Sequence, residues 1–486
     1  MDRRDFLVGT GALAMIDAIG AAAIAQTPAA EPRAEKTSVE EQLANYAAAL
    51  KYDDLPREVV DTCKRLLIDT LACGYGAIGS PPARIAEETF RKSFGGRDSA
   101  SVLGNPKLTS TEGAVLINGV LIRYLDWNDT YVGKEPCHPS ENIPAALACS
   151  EEAGRSGREL IEAIVLGYEA QLALCDAFSY GERGFFSVSS SGFVVPLIAG
   201  KLWRMTPAQM TAAMGISGVR QLTLLSINRG PISMMKALPY AQSAMDAIFA
   251  ARLAADGFTG ASNSIEWFTS NVKPSETNVR VELGPQKFRI TKVGIKRFPL
   301  QFELQTIAEA GVNLSPSVRG RIGDIREIVV ETYPTTKERT ADPSRYNPAT
   351  RETADHSLPI CLAMALIDGD VTHEQFEKDR WRAAEILALA QKVKVTISDK
   401  LIASAPRGSG AIVKIAFTDG KAAETIVEIA DGDARRPLSR AALEHKFNEL
   451  AVPALGAAGA AKVTQLVDRL EELPDVHVLT QALRGG

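Results

Sequence analysis

The run Arg123-Tyr-Leu-Asp-Trp-Asn-Asp-Thr130, followed closely by His138-Pro-Ser-Glu-Asn142, concentrates groups able to move protons. Histidine titrates near neutrality, so His138 can take up and return a proton at physiological pH. Asp126 and Asp129 are placed to orient its ring or raise its basicity, and Thr130 adds a hydroxyl. Asn142-Ile143-Pro144 has the form of a helix start, with Asn142 as cap and Pro144 in the first turn. The free backbone amides of such an end can receive a carboxylate. On pattern alone, the same residues also read as ordinary caps and turns.

Three further segments carry charge suited to anions. Lys236 opens an otherwise apolar run in Ser233-Met-Met-Lys-Ala237. Lys296-Arg297 precede Phe298-Pro299, where two adjacent cations can grip carboxylates. Asn347 to Pro359 joins a polar loop to a helix and holds His356 beside Asp355. Each segment, taken singly, also fits a solvated surface. No glycine-rich nucleotide loop, GxSxG elbow, CxxC pair or HExxH helix occurs, so no nucleotide cofactor or metal is expected. The run Ser187 to Gly192 reads as a turn and helix cap.

These groups need a scaffold, and 486 residues with 45% hydrophobic content supply one. From Ser38 to about residue 272 the pattern is helical. Ser38 and Glu41 form a capping box. From Pro56, the apolar positions Val59, Val60, Cys63, Leu66, Leu67 and Leu71 trace one helix face. Helical stretches follow over 112–125, 143–153, 159–177, 193–203, 207–215 and 236–255. Residues 273–432 change character, with strands expected over 287–296, 325–333, 393–397, 412–417 and 424–429. Helices fall between them near 301–313 and 373–390. Residues 433–486 return to helix and are expected to rejoin the first domain. The fold class is therefore mainly α, with a smaller α+β domain.

The net charge of −5 gives no basis for nucleic-acid binding. Cys63, Cys73, Cys137, Cys149, Cys175 and Cys361 read as small buried hydrophobes. Arg3-Arg4-Asp5-Phe6-Leu7, the apolar stretch to Ala25 and Ala23-Ile24-Ala25 read as a Tat-type export signal, followed by a linker over 26–37. A periplasmic location follows, with the cytoplasm as the alternative if the signal is unused. Export would leave a disulfide open. No other segment reads as a membrane span.

Taken together, these segments resemble the MmgE/PrpD family, which includes 2-methylcitrate dehydratase and cis-aconitate decarboxylase. The resemblance is carried by Leu125-Asp-Trp-Asn-Asp-Thr130, His138-Pro-Ser-Glu-Asn142, Gly167-Tyr-Glu-Ala170, Lys236, Lys296-Arg-Phe-Pro299 and Glu352-Thr-Ala-Asp-His-Ser-Leu-Pro359. It implies a large helical domain built from both chain ends, an α+β lid and a homodimer. It places Asp126, Thr130, His138, Lys236 and Lys296 at catalytic positions, with Arg297, Asn142, His356 and Asp129 as substrate contacts. Phe185 and Phe186 stand where decarboxylase-like members have a second histidine.

The expected activity is metal-independent dehydration of 2-methylcitrate or a similar hydroxy-polycarboxylate. In this reading Lys236 and Lys296 hold carboxylates, Asp126 orients His138, and Thr130 binds substrate. Decarboxylation or epimerisation of a polycarboxylate are alternatives. An exported carboxylate-binding protein without turnover is a reading of another class.

Overall fold

The structure is a computed structural model that describes residues 37–94, 97–273, 279–284, 287–405 and 408–485. The twin-arginine segment and the linker up to residue 36 lie outside the described residues. Ser38 caps the first helix, Val39–Ala49, and Glu41 reaches back to the Ser38 amide at 2.8 Å, completing the box. Arg57–Gly76 buries the stripe from Val59 through Leu71. Thr111–Tyr124 and Gly157–Ala177 pack on it, and Ile143–Glu152, Ser191–Leu202, Pro207–Ser217 and Pro239–Ala255 pack on those two and on one another. Small residues permit close approach. A Cβ on Gly119 would lie 2.7 Å from that of Ala241, so the helices Thr111–Tyr124 and Pro239–Ala255 meet nearly backbone to backbone.

One hydrophobic core runs from Val39 to Ile295 and resumes from Leu438 to Leu483. The C-terminal helix Arg440–Asp468 lies along Arg57–Gly76 and buries Leu443, Phe447 and Leu450. By length and composition this helix could cross a membrane, which the sequence reading did not anticipate. Its backbone breaks at Gly456, however, leaving two stretches each shorter than the ~20 residues a span requires.

A second core spans Phe298 to Val427. Its sheet has the order Val393–Ile397, Ile325–Thr332, Ala411–Phe417, Ala422–Val427. The first pair is parallel and the others antiparallel. Alternating burial along Ile325–Thr332 leaves one sheet face apolar. Gln305–Val318 covers the last two strands. Leu358–Asp368, apolar on all sides, sits between Gln305–Val318 and Ala384–Ala390. Each fully buried Leu or Ile there contributes about 1.5–3 kcal/mol.

Two expected elements differ. Residues 287–296 form no strand: Arg289–Lys292 is a 3-10 turn. Its amides find single partners in place of a ladder. Ile290 donates to Glu169 Oε1 at 2.9 Å, Gly294 pairs with Thr130, and Ile295 donates to the Gly432 carbonyl at 2.8 Å. The helix expected over 373–390 is broken into His373–Glu377 and Ala384–Ala390, with Asp379 between them in the left-handed region at φ 51°. All six cysteines are buried and free.

Candidate active site

The helix Thr111–Tyr124 ends just before Asp126, whose φ of 51° turns the chain sharply. That turn aims a carboxylate, only 1% exposed, into a cluster of cations. Arg123 donates to Asp126 Oδ1 at 2.6 Å. Lys296 Nζ donates to the same oxygen at 2.8 Å and to the Asp126 carbonyl at 2.7 Å. Lys236 Nζ lies 2.8 Å from Oδ2, and His356 Nε2 lies 3.4 Å from it. Burial alone would raise the Asp126 pKa, but Lys236, Lys296 and Arg123 together hold it well below the usual carboxylate range. Burial lowers both lysines, Lys296 to about 8. The Lys236 ammonium is buried and paired with Asp126, and an ammonium has three donors, so it can also serve a second anion.

His138 is partly buried and lines a cavity of about 380 Å³. Its Nδ1 lies 2.6 Å from the Asp129 carbonyl. A carbonyl can only accept, so Nδ1 carries the hydrogen and Nε2 keeps its lone pair. Burial first, then Arg123 and Lys296, push the imidazole well below its ordinary pKa, so at pH 7 it is a neutral base.

The cavity is lined by Asp126, His138, Lys236 and His356, and by Arg123. His356 donates through Nδ1 to Asp355, and burial followed by Lys236 lowers its pKa to about 4. Thr130 and Lys296 instead line a neighbouring cavity of about 620 Å³, and Phe302 borders both. Thr130 Oγ1 is 3.4 Å from His138 Nδ1, which places it against the back of the ring.

Three expected substrate contacts are not brought to the first cavity. Asp129 is fully buried; burial raises its pKa to about 6, and it accepts from Ser140 and Tyr168. Asn142 is also fully buried and does not cap its helix. Its amide donates to Gln171 at 2.6 Å, and its oxygen accepts from Tyr240. Arg297 points to Asp431, at 3.8 Å, and stacks over Phe298. These residues brace the structure around the cluster and present nothing to the cavity.

Asp126, Asp355 and His356 each offer a ligand atom within 4.8 Å of the others, a spacing compatible with a metal. The surrounding charges oppose one. Lys236 lies against both carboxylates, Lys296 and Arg123 against Asp126, and Arg351 is 3.2 Å from Asp355. A divalent cation would have to displace these groups.

Comparison with known proteins divides the chain near the start of the second core, although the C-terminal match also takes in part of the helix that returns to the first core. Residues 41–269 match the MmgE/PrpD N-terminal domain, and residues 298–472 match the MmgE/PrpD C-terminal domain. The chain belongs to the MmgE/PrpD family. Among its curated relatives, cis-aconitate decarboxylase of Aspergillus terreus is 23% identical over 478 residues, covering 92% of this chain and 96% of the relative. Human cis-aconitate decarboxylase is 24% identical over 477 residues, covering 92% and 95%. The 2-methylcitrate dehydratase of Escherichia coli K12 is 23% identical over 412 residues, covering 80% and 84%. The MmgE/PrpD N-terminal match contains Asp126, His138 and Lys236, the C-terminal match contains His356, and Lys296 falls between the two.

Within this MmgE/PrpD frame, four residues make contacts at the site that the sequence reading assigned to none of them. Arg123 pairs with Asp126, Asp355 orients His356, and Glu141 faces Arg123 Nε at 3.4 Å. Burial raises Glu141 to about 8, so it is largely neutral at pH 7 and leaves the charge of Arg123 for Asp126. The fourth is Lys446, from the C-terminal helix. Its Nζ donates to Asp69 at 2.6 Å, to the Trp127 carbonyl at 2.8 Å and to the Lys296 carbonyl at 3.3 Å. Arg123 had a visible signal, since a basic residue three positions before Asp126 at a helix end can reach it. Lys446 had none.

Proposed function

We propose that this chain is a lyase that dehydrates a small hydroxy-polycarboxylate of the 2-methylcitrate type. The observation that carries the reading is a neutral histidine and a buried ammonium, His138 and Lys236, lining one cavity. Elimination begins with a proton next to a carboxylate, and His138 Nε2 is the free base to take it. As that C–H bond breaks, negative charge moves toward the carboxylate, where Lys236 stabilises it. The double bond forms as the carbon–oxygen bond to the hydroxyl breaks. Arg123 and Lys296 disfavour a charged His138, so the imidazolium readily gives its proton to the departing hydroxyl, which leaves as water. Asp126 fixes Lys236 and Lys296 from behind, and Thr130 supports the His138 ring.

Relatives named for decarboxylation share the same family, so the choice of reaction rests on local chemistry. Phe186 lines the cavity at the stretch where decarboxylase-like members have a second histidine. An apolar ring there cannot relay a proton, which supports dehydration. The test is proton NMR of the purified protein with 2-methylcitrate, citrate and cis-aconitate, with and without chelator, beside His138→Ala. An alkene product that survives chelation and disappears in the variant is expected. Carbon dioxide release from cis-aconitate without dehydration of either hydroxy acid would overturn the reading.

A further inference from the structure

We propose that Arg229 and Arg339 form an outer clamp for a second carboxylate of the substrate, making the site selective for polycarboxylates. This rests on the polycarboxylate reading above and adds the residues that would impose it. Both arginines line the cavity that holds His138 and Lys236. They come from opposite halves of the chain: Arg229 follows the turn Leu225–Asn228, and Arg339 lies in the helix Pro334–Thr340. The clamp would therefore close between the two cores.

Neither guanidinium makes a close bidentate pair with a carboxylate among the described residues. Arg229 makes one side-chain hydrogen bond, to Asn228 Oδ1 at 3.1 Å, and among the described residues no carboxylate lies within ion-pair distance of it. Arg339 has Glu303 at 3.6 Å. That carboxylate also accepts from Gln301 Nε2 at 2.5 Å, so Arg339 shares it with a second donor. Burial and the nearby charge of Arg339 both lower the Arg229 pKa, as expected for like charges facing a shared space. Of the acids in the same cavity, Glu135 is held by Ser179 Oγ at 2.5 Å and the Gly181 amide at 3.0 Å. Glu182 and Asp126 are the other acids that line the cavity, and Asp126 is held by Arg123, Lys236 and Lys296.

Two planar forks lining one cavity match a carboxylate in bidentate fashion, and the anion relieves their mutual repulsion. Lys236 is a point charge beside the proton-transfer group, suited to the carboxylate at the reacting carbon. A substrate with one carboxylate can satisfy Lys236 alone. A polycarboxylate can satisfy Lys236 and the arginines together.

Calorimetry of the full protein with tricarballylate, and with butyrate as a one-carboxylate probe, tests this. Arg229→Gln and Arg339→Gln are each expected to weaken tricarballylate binding ten- to a hundredfold, the range for a lost charge-assisted bond. Butyrate binding should be unchanged. Arg435→Gln, an exposed arginine paired with Asp433 outside this cavity, should match wild type for both. In turnover, the loss should fall on KM, with kcat within about threefold. Variants that bind tricarballylate within twofold of wild type, or lose butyrate equally, would overturn the clamp. If the wild type dehydrates 2-methylcitrate and the variants keep their KM, only the clamp fails. If the variants lose tricarballylate while no acid is turned over, only the lyase reading fails.

Discussion

Lys446 donates to the carbonyl of Trp127 at 2.8 Å, tying a helix near the end of the chain to the loop that carries Asp126. The same ammonium bonds Asp69 and the carbonyl of Lys296, and lies 4.7 Å from the Trp127 ring centroid. Lys446→Met leaves Asp69 unpaired in the interior, where burial already raises its pKa, and should cost about 3–5 kcal/mol. Asp69→Leu combined with Lys446→Met removes both charges and should recover most of the melting temperature. Turnover should stay low, because the loops carrying Asp126 and Lys296 have lost their shared anchor. Full recovery of kcat in the double variant would show that the anchor is only structural.

His138→Gln keeps a side chain of similar size and removes the base. Loss of 10²–10⁴-fold in kcat is expected for a general acid–base group, with tricarballylate affinity changed little. Single-turnover kinetics and calorimetry on the same preparation separate the two effects.

The Lys296 pKa of about 8 predicts an alkaline limb. Activity should fall as pH rises through 8, when the ammonium holding Asp126 loses its proton. Asp126 raises that pKa, so Asp126→Asn should move the limb to lower pH. Lys296→Arg cannot lose its proton near this pH and should remove the limb if it remains active. A kcat/KM profile that ignores both substitutions contradicts the assignment.

His356 is lowered from 6.5 to about 4. As pH falls below 6.5 the unfolded chain takes a proton that the folded protein refuses. Stability is therefore full above pH 6.5 and declines toward pH 4, by about 3 kcal/mol from this residue. His138 acts in the same direction. Thermal melts from pH 7.5 to 4.5 should show the decline, and it should be shallower in His356→Gln.

Gly432 has φ 96°, and a Cβ there would lie 2.0 Å from the Ile295 carbonyl. Gly432→Ala should destabilise by about 1–3 kcal/mol and displace the segment leading into Lys296. A lowered melting temperature with a shifted alkaline limb is the expected signature.

Much of the scaffold was legible because its signals are local. The capping box at Ser38, the stripe from Val59 to Leu71 and the alternation along Ile325–Thr332 each follow from short-range periodicity. Residues 287–296 misled because β-branched composition does not guarantee a partner strand. Within the site, type was readable and direction was not. Lys296 and Arg297 are neighbours of like charge, yet one turns inward to Asp126 and the other outward to Asp431. Asp126 and Asp129 share one loop, and the left-handed turn at Asp126 gives each its own surroundings. Arg297, Asn142 and Asp129 are expected at the substrate from the family resemblance, yet their side chains turn to Asp431, Gln171 and Tyr168, because a motif gives residue type and not side-chain direction. Lys446 was invisible because its partners lie 150 to 377 positions away.

Those long separations bear on how the protein comes into being. The cluster around Asp126 is braced by Lys446, so a nascent chain stopped short of the helix Arg440–Asp468 has Asp126 and His138 but not their full support. Contacts of such high sequence separation form late, after the cost of closing long loops has been met. Recovery of turnover during refolding should therefore lag behind recovery of helical circular dichroism, making the enzyme's own activity a clock for its last folding step.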